Sequence, residues 1–486
     1  MMHYNNFGDR KLSMLMDFYE LTMANGYFSS GMKDDIVYFD VFFRKNPDGA
    51  GFSIVAGLQQ VIEYIKQLKF TEEDIEYLQR KKIFKEEFLQ YLRSFKFSGD
   101  IYAIPEGTPV FPGEPLLTVR AKTIDAQLIE TMLLLTINHQ SLIATKANRI
   151  VRASKGRPIM EFGARRSQGY DGAIYGGRAA YIGGVVGTAT TLADEVFGVP
   201  ALGTMAHSWV QMFDSEFESF KVYAENYPDG CTLLIDTYNV IKSGIPNAIK
   251  VSREILEPMG KRLKGVRIDS GDIAYLSKKC REMLDEVGLT DCSIVASNSL
   301  DEFIITDLLD QGAKVDSFGV GERLITAKSE PVFGCVYKLV AIEKDGKIIP
   351  KIKISENEEK ITNPGYKKVW RLYDKTTNNP IADVVGMSHE IIGDTIPYTI
   401  FDEIHVWKKK KVTNFYAKNL QVPIFINGEC VYESPSLKDI RAYCKNEVDN
   451  LWSEVKRFIN PHSYYVDLSA ELWNTKQDLI SQFSFK

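Results

Sequence analysis

The chain has 486 residues and a formal net charge of −5 at pH 7, a mildly acidic balance that argues against broad nucleic-acid binding. Hydrophobic residues make up 44% of the chain, which is ample for sizeable cores. The length predicts about two to four domains.

The cysteines and the apolar stretches bear on the compartment. The six cysteines include no Cys-x-x-Cys pair and no metal-ligand spacing, which is typical of reduced thiols in a cytosolic protein. Residues 1–11 are polar and lack the apolar core of a signal peptide. The longest apolar-looking stretch, residues 179–193, is interrupted by Gly and Thr and is too short to span a bilayer. We therefore expect a soluble, cytoplasmic protein.

Residues 1–139 are predicted to form an α+β domain. Apolar residues recur with helical spacing over residues 12–27, and residues 71–95 have the pattern of two charged amphipathic helices. Alternating apolar residues between Pro-Gly and Glu-Gly turns predict short β-hairpins over residues 99–121. The hairpin pattern also fits a biotinyl or lipoyl carrier, but residues 99–120 contain no lysine to carry the group. We favour a structural, β-sandwich-like fold.

Residues 140–340 repeat one unit, an apolar strand followed by an amphipathic helix. Such alternation implies parallel βαβ units, and about seven units in roughly 200 residues favour an irregular α/β barrel over an open doubly wound sheet. No Gly-x-Gly-x-x-Gly follows an early strand, which disfavours a dinucleotide-binding fold. The predicted strands are residues 158–162, 201–205, 232–236, 265–268, 293–296, 315–318 and 332–336.

The last region, residues 341–486, is predicted to be an α+β extension. It begins with charged, strand-like segments and ends in helices rich in aromatic and charged residues. The sequence assigns it no role beyond packing and dimer contacts.

Polar residues follow most strands of the middle region. In an α/β barrel the carboxyl ends of the strands meet on one rim, where the active sites of that architecture lie. One polar segment after a strand is ordinary loop chemistry, but a succession of them favours a site. The segments are residues 163–166, 207–208, 236–238, 269–272, 297–299 and 319–323.

His207, one of only six histidines, lies where a short apolar segment gives way to an amphipathic helix. The free N–H groups and the positive end of a helix favour anions there. A histidine can serve as a nucleophile or as a proton carrier near neutral pH. Taken alone, a capping or core histidine is the commoner interpretation, and the neighbouring charged residues favour the functional one.

Several residues on this rim suit an anion. Arg165 and Arg166 can contact a carboxylate or a phosphate in a bidentate manner, although an arginine pair is usually a surface feature. Gly319 and Gly321 allow the backbone to approach an anion closely, a weak signal when it stands alone.

The aspartates suit a sugar phosphate and a cation. Arg267 and Asp269 are two residues apart on one strand and point the same way, where they can hold a sugar phosphate and its hydroxyls or form a buried ion pair. Asp236, Asp269 and Asp272 could assist Mg²⁺ that is bound mainly through substrate phosphates and water. The site therefore suits a phosphorylated, anionic, sugar-containing substrate.

In this order, the motifs resemble those of the nicotinate phosphoribosyltransferase family, whose members begin NAD salvage from nicotinic acid. The resemblance runs from residue 17 to residue 340. It implies an ATP-coupled transfer from phosphoribosyl pyrophosphate that releases pyrophosphate, with Mg²⁺, in a homodimer that shares its active sites. The motifs are residues 17–23, 161–166, the segment around His207, and residues 236–238, 267–272, 316–321 and 334–340.

The resemblance also implies roles around the pyridine ring. The ring would lie between Phe162 and Tyr19, with Tyr19 supplied by the neighbouring subunit. Arg165 would face the nicotinate carboxylate or the nearby phosphate. Asp236 would lie near the reacting ring and ribose, and His207 would be the residue that ATP phosphorylates.

Further roles concern the phosphoribosyl group. Arg267 and Asp269 would hold its phosphate and ribose hydroxyls, and Gly319 and Gly321 would border the 5′-phosphate. Ser297, at the end of another strand on the same rim, is expected to help bind the phosphate and ribose.

Substrate choice depends on Ala189. Related nicotinamide enzymes carry an aspartate that accepts a hydrogen bond from the amide, and an aspartate would repel the carboxylate of nicotinate. Ala189 therefore favours the acid, although many nicotinate enzymes have serine there. Glu322 is a second departure, since threonine often follows the Gly-Val-Gly run. Transfer to nicotinamide or quinolinate, or a non-catalytic binding protein on the same fold, remain alternatives.

Overall fold

The structure is a computed structural model that describes residues 12–357, 360–393 and 397–484. The polar segment of residues 1–11, predicted not to be a signal peptide, lies outside the described residues. The chain divides into two compact units. One is residues 143–331, and the other combines the residues up to 142 with those from 332 onward. The division into three regions remains a prediction.

The described residues contain both strands and helices along the whole chain. In chain order, the β-strands are β1 (Ile36–Phe42), β2 (Ser53–Ile54), β3 (Asp100–Ala103), β4 (Pro109–Val110), β5 (Leu117–Lys122), β6 (Ile159–Glu161), β7 (Gly187–Thr188), β8 (Thr232–Leu234), β9 (Gly265–Ile268), β10 (Ser293–Ser297), β11 (Ser317–Val320), β12 (Val336–Lys344), β13 (Lys347–Pro350), β14 (Lys367–Asp374), β15 (Pro380–Met387), β16 (Tyr398–Phe401), β17 (Lys409–Val412), β18 (Phe415–Asn419), β19 (Val422–Ile426), β20 (Glu429–Cys430) and β21 (Val466–Leu468). The α-helices are α1 (Phe18–Ser29), α2 (Leu58–Gln67), α3 (Glu72–Arg80), α4 (Glu86–Arg93), α5 (Thr123–Gln127), α6 (Glu130–Ala153), α7 (Gly169–Ile182), α8 (Thr191–Phe197), α9 (His207–Gln211), α10 (Glu216–Asn226), α11 (Ile245–Val251), α12 (Ile273–Glu286), α13 (Glu302–Asp310), α14 (Glu322–Ile325), α15 (Leu437–Asn450) and α16 (Ala470–Ser484).

The unit of residues 143–331 is built on a six-stranded parallel sheet in the order β7-β6-β11-β10-β9-β8. Its strands bury apolar side chains completely, among them Leu233, Val266, Ile294 and Phe318. Helices connect most of the strands, and this arrangement buries both faces of a parallel sheet. The prediction of parallel βαβ units is confirmed, and the strand predicted over residues 265–268 has the observed bounds.

Two of the predicted strands are wrong. Residues 201–205 form no strand, and Ala201 makes only an isolated bridge with Thr188. The carbonyl of Met205 accepts a hydrogen bond from Arg267 instead of pairing with a strand. The segment 332–336 does not join the parallel sheet either, because Gly334 has a φ of 78° that interrupts extended backbone, and a strand begins only at Val336.

The other unit contains a seven-stranded sheet in the order β13-β12-β1-β5-β3-β19-β20, whose pairs are antiparallel, and a four-stranded sheet in the order β18-β14-β15-β21. The predicted hairpin region contains β3 and β5, which pair antiparallel. The predicted helix pair is confirmed as α3 and α4, and the predicted first helix is α1 preceded by a short 3-10 turn.

Two further findings concern the cysteines and the apolarity of the helices. All six cysteines lie within the described residues, none forms a disulfide, and only Cys430 is not buried. Among the described residues, no helix combines the length and the apolarity that crossing a membrane requires.

Candidate active site

His207 is the first residue of α9, as predicted, and its ring faces the ends of β8 and β9. The Nδ1 atom lies 3.1 Å from the hydroxyl of Thr237. The Nε2 atom lies 3.9 Å from a carboxylate oxygen of Asp236 and 3.9 Å from one of Asp269. One ring nitrogen is therefore held by a hydroxyl, and the other faces two carboxylates.

Asp236 is buried with half of its carboxylate unsatisfied. Its Oδ2 accepts hydrogen bonds from the backbone N–H of Asp269 (3.0 Å) and from the hydroxyl of Ser270 (2.6 Å). Its Oδ1 is buried and has no hydrogen-bond partner among the described residues. Leaving a buried polar atom unpaired costs about 1–3 kcal/mol, so this oxygen suits a ligand or a cation that supplies the missing partner.

Arg267, Asp269 and Ser297 form one hydrogen-bonded cluster at the ends of β9 and β10. Arg267 donates to Asp269 (2.8 Å), to the Ser297 hydroxyl (2.9 Å) and to the Thr204 hydroxyl (3.2 Å), and Ser297 also donates to Asp269. Burial of Asp269 opposes its ionisation, but the hydrogen bonds from Ser297 and Arg267 outweigh it and hold the pKa of Asp269 below its ordinary value. Arg267 and Asp269 form the ion pair that the sequence left open as the alternative to ligand binding, and this pair is only partly buried.

Phe162 and the two glycines belong to one packing unit. Gly319 leaves room for the ring of Phe162, because a Cβ at Gly319 would lie 2.5 Å from a ring carbon. A Cβ at Gly321 would lie 3.1 Å from the carbonyl oxygen of Phe162. The guanidinium carbon of Arg267 lies 5.7 Å from the centre of the same ring. The sequence interpretation assigned both glycines to anion binding. The structure shows that Gly319 also makes room for the ring of Phe162.

Three more predicted residues lie at the surface. Arg165 and Arg166 are exposed on a 3-10 turn, residues Ala164–Arg166, directly after Phe162. Ala189 is also exposed, and its backbone N–H donates to the carbonyl of Glu161 (2.8 Å), which places it beside the end of β6.

Tyr19 lies in α1, in the other unit, with 43% of its surface exposed. Burial of its hydroxyl and a hydrogen bond with Glu130 raise the pKa of Tyr19. Its predicted place against the pyridine ring remains a prediction.

Two acidic residues have local structural partners. Asp272 caps α12, since its carboxylate accepts the N–H of Tyr275 (2.9 Å), and this role accounts for it without Mg²⁺. Glu322 pairs with Lys328 (2.7 Å), and that hydrogen bond lowers the pKa of Glu322. Lys328 therefore neutralises the carboxylate beside the Gly-Val-Gly run, while Arg323 pairs with Asp301.

Sequence reasoning missed two contributors to the site. Thr204 hydrogen-bonds Arg267, and nothing in the sequence marks it. Glu161 stood inside a quoted motif without a role, yet its side chain is completely buried at the end of β6. The sequence did contain one signal for Glu161: it is a charged residue at the end of a strand whose two faces are both predicted to be buried.

Taken together, the parallel sheet and the polar cluster at the carboxyl ends of its strands define an α/β enzyme whose site suits an anionic substrate. Comparison with known families agrees. Residues 14–138 match the N-terminal domain of nicotinate phosphoribosyltransferase, residues 158–380 match the nicotinate phosphoribosyltransferase family, and residues 366–476 match the C-terminal domain.

Individual relatives are similar over nearly the whole chain. The chain is 44% identical to nicotinate phosphoribosyltransferase of Bacillus subtilis, over 98% of this chain and 96% of that protein. It is 30% identical to the human nicotinate phosphoribosyltransferase, over 94% and 95% of the two chains. The crystal structure of human nicotinic acid phosphoribosyltransferase superposes with a TM-score of 0.85 at 28% identity, over 96% of this chain and 99% of that one. The chain belongs to the nicotinate phosphoribosyltransferase family, and it is an enzyme of that activity.

Proposed function

We propose that this enzyme transfers the phosphoribosyl group of phosphoribosyl pyrophosphate to nicotinate, and that ATP drives the reaction through a phosphate on His207. The observation that carries the proposal is the placement of His207, whose Nδ1 contacts Thr237 while its Nε2 faces Asp236 and Asp269. The product is nicotinate mononucleotide, an intermediate of NAD biosynthesis.

His207 acts as a nucleophile through Nε2. With its proton on Nδ1 donated to Thr237, the neutral ring presents the Nε2 lone pair. This lone pair attacks the γ-phosphorus of ATP, the bond from that phosphorus to the ADP oxygen breaks, and ADP leaves. The phosphoryl group then lies next to the carboxylates of Asp236 and Asp269, whose negative charge destabilises it and favours its turnover.

The donor set fits Mg²⁺. The unpaired, buried Oδ1 of Asp236 and the carboxylate of Asp269 would hold the ion, with phosphate oxygens and water completing its coordination. When bound, Mg²⁺ supplies charge neutralisation for the phosphates of ATP and of the departing pyrophosphate.

The chain's own residues orient the two substrates. Arg267, Asp269 and Ser297 form the cluster that suits the phosphate and hydroxyls of the ribose. At C1 of the ribose the bond to the pyrophosphate oxygen breaks through an oxocarbenium-like state, and the lone pair of the pyridine nitrogen forms the new C1–N bond. Gly319 and Gly321 border the 5′-phosphate in this proposal.

The base lies on Phe162, with Arg165 facing its carboxylate. Tyr19 of the partner subunit would cover the opposite face of the ring, so the active sites are shared in a homodimer. Ala189, exposed beside the end of β6, presents no negative charge to the nicotinate carboxylate. This favours the acid over nicotinamide.

We also propose that the parallel sheet is an irregular barrel. Strand β6 pairs with β7 on one side and with β11 on the other, and Thr188 of β7 bridges to Ala201. These pairings support a ring of strands that is open between Ala201 and β8. A cytoplasmic location is part of the same proposal, supported by six cysteines without a disulfide.

The test is incubation of the purified protein with phosphoribosyl pyrophosphate, Mg²⁺ and ATP, plus nicotinate, nicotinamide or quinolinate in separate reactions. We expect a mononucleotide and stoichiometric pyrophosphate from nicotinate alone. A mononucleotide from nicotinamide or quinolinate but not from nicotinate would refute the substrate assignment. Equal yields with and without ATP would refute the coupling.

A further inference from the structure

Glu161 is a buried carboxylate that joins two loops of the active site. It is the last residue of β6, its side chain is completely buried, and no basic side chain pairs with it among the described residues. Burial raises the pKa of Glu161, while hydrogen bonds from Thr188 and Gly163 oppose that effect. A buried carboxylate without a cationic partner is costly, so its retention calls for a reason.

The two oxygens of Glu161 hold different segments. Oε1 accepts the backbone N–H of Gly163, and Oε2 accepts the hydroxyl of Thr188 (2.6 Å). The Thr188 hydroxyl in turn accepts the backbone N–H of Thr190 (3.1 Å). One segment is the loop that carries Phe162, and the other is the loop that carries Ala189.

The loop at Gly163 has little freedom to move away. A Cβ at Gly163 would lie 2.6 Å from the carbonyl oxygen of Gly321 and 2.6 Å from Cγ2 of Ile325. The backbone of Gly321 and the side chain of Ile325, at the start and end of α14, therefore pack closely against Gly163. The backbone N–H of Phe162 also donates to the carbonyl of Val320 (2.8 Å). The carboxylate of Glu161 thus links a fixed loop to the loop of Ala189.

We infer that Glu161 is a positioning residue for base recognition, which sets the spacing between the Phe162 loop and the Ala189 loop through its hydrogen bonds to Gly163 and Thr188. This inference rests on the proposed function, because it takes those two loops as the walls of the nicotinate site. The residue touches no substrate and acts through Phe162 and Ala189.

Two near-isosteric variants test the link from its two ends. In Glu161→Gln the amide oxygen still accepts the N–H of Gly163, but the NH₂ group cannot accept from the Thr188 hydroxyl, so the hydrogen bond from that hydroxyl to a carboxylate is lost and only a neutral contact in the reverse direction can replace it. Thr188→Val removes the hydroxyl from the other end. We expect each variant to raise the KM for nicotinate about tenfold or more, as the loss of a hydrogen bond to a charged group predicts. The KM for phosphoribosyl pyrophosphate and the rate of His207 phosphorylation by ATP should stay within about twofold of the wild type. The residues proposed for those two steps lie at the ends of β8, β9 and β10, away from the link.

Two further variants serve as controls. Thr188→Ser keeps the hydroxyl and should restore the wild-type KM for nicotinate. Thr306→Val removes a threonine hydroxyl that donates to the Glu302 carbonyl on α13, away from the base site. It should change neither of the two KM values nor the rate of His207 phosphorylation.

Three outcomes would overturn the inference. An unchanged KM for nicotinate in Thr188→Val shows that the link does not position the base. A parallel loss of nicotinate use, phosphoribosyl pyrophosphate use and His207 phosphorylation shows a merely structural role. Failure of Thr188→Ser to restore the KM assigns the effect to something other than the hydroxyl. If Glu161→Gln does not fold, the Thr188 pair decides alone, and a wild type that makes no mononucleotide from nicotinate refutes the proposed function instead.

Discussion

The hydroxyl of Thr237 lies 3.1 Å from Nδ1 of His207, and this contact occupies one of the two ring nitrogens. A hydrogen bond at one imidazole nitrogen sets the tautomer and the orientation of the other. Nε2 is left facing the carboxylates of Asp236 and Asp269 at 3.9 Å. In the proposed mechanism, Thr237 thus orients the phosphoryl acceptor His207 without contacting ATP.

The first prediction concerns this pair. We expect His207→Ala to abolish ATP-dependent phosphorylation of the protein, and Thr237→Val to slow it about fivefold, because one neutral hydrogen bond contributes roughly 0.5–1.5 kcal/mol. Acid-labile labelling from γ-labelled ATP measures both. His389→Gln, which changes an exposed histidine in the other unit, should label like the wild type. Persistent labelling of His207→Ala would refute the assignment.

Asp236 carries the second prediction, in which activity and stability move in opposite directions. Asp236→Asn keeps an oxygen for the Asp269 N–H and the Ser270 hydroxyl but removes the buried negative charge, whose Oδ1 accepts no hydrogen bond within the described part of the chain. We expect nucleotide formation to fall about a hundredfold or more, since the proposed Mg²⁺ site would lose a charged ligand. The free energy of unfolding should rise by about 1 kcal/mol, because the desolvation cost of the buried negative charge is removed.

Denaturant titration and steady-state rates measure the two effects. Asp310→Asn changes an exposed carboxylate that pairs with Lys155, and it should alter neither quantity. If Asp236→Asn is less stable than the wild type, the buried carboxylate of Asp236 does not destabilise the fold, and the interpretation of Asp236 is contradicted.

Local patterns in the sequence were enough for part of this site. The apolar run of β9 between turn residues has its predicted bounds, and the period of two along a strand placed Arg267 and Asp269 on the same side. His207 opens its helix as the switch from an apolar to an amphipathic segment indicated. These features depend on residues close together in the chain.

What the sequence could not provide depends on contacts between distant segments. The segment predicted as a strand over residues 201–205 instead has one isolated bridge, from Ala201 to Thr188, and its last carbonyl, that of Met205, accepts a hydrogen bond from Arg267, far along the chain. The need for glycine at 319 comes from the ring of Phe162, which directly follows the neighbouring strand β6. The link from Glu161 to Thr188 depends on the register of β6 against β7, which no local pattern fixes.

Gly319 carries the third prediction. Gly319→Ala places a Cβ 2.5 Å from the ring of Phe162, so the ring must shift. Because the ring forms one wall of the proposed nicotinate site, we expect the KM for nicotinate to rise about tenfold while His207 is still phosphorylated by ATP. The matched control is Gly230→Ala, where a Cβ would meet no atom within 4 Å. An unchanged KM for nicotinate would show that Phe162 does not bind the base.

The fourth prediction concerns Ala189 and the choice of base. Ala189→Asp introduces a negative charge beside the end of β6, and we expect kcat/KM for nicotinate to fall about a hundredfold through repulsion of its carboxylate. Ala189→Asn matches the size without the charge and should lose much less. Steady-state kinetics with nicotinate and nicotinamide for both variants give the comparison. Equal losses in the two variants would assign the effect to size and not to charge.

The last prediction is a dependence of stability on pH that originates at Glu20 in α1. The side chain is fully buried, its Oε1 accepts backbone N–H groups of Asp17 and Thr131 (3.2 Å each), and its Oε2 has no partner among the described residues. Burial raises the pKa of Glu20 from 4.5 to about 7. The folded protein therefore keeps a proton that the unfolded chain has released, and the free energy of unfolding falls as the pH rises through this window, by on the order of 3 kcal/mol from this group.

Glu20→Gln removes that titration and retains the acceptor oxygen for Asp17 and Thr131. We expect the variant to match the wild type in urea unfolding near pH 4.5 and to be the more stable of the two near pH 8, because only the wild type must bury a charge there. Glu87→Gln, on the exposed side of α4, should leave the pH profile of the wild type unchanged. If the profiles of wild type and Glu20→Gln run parallel from pH 4.5 to 8, folding does not raise the pKa of Glu20, and the prediction is refuted.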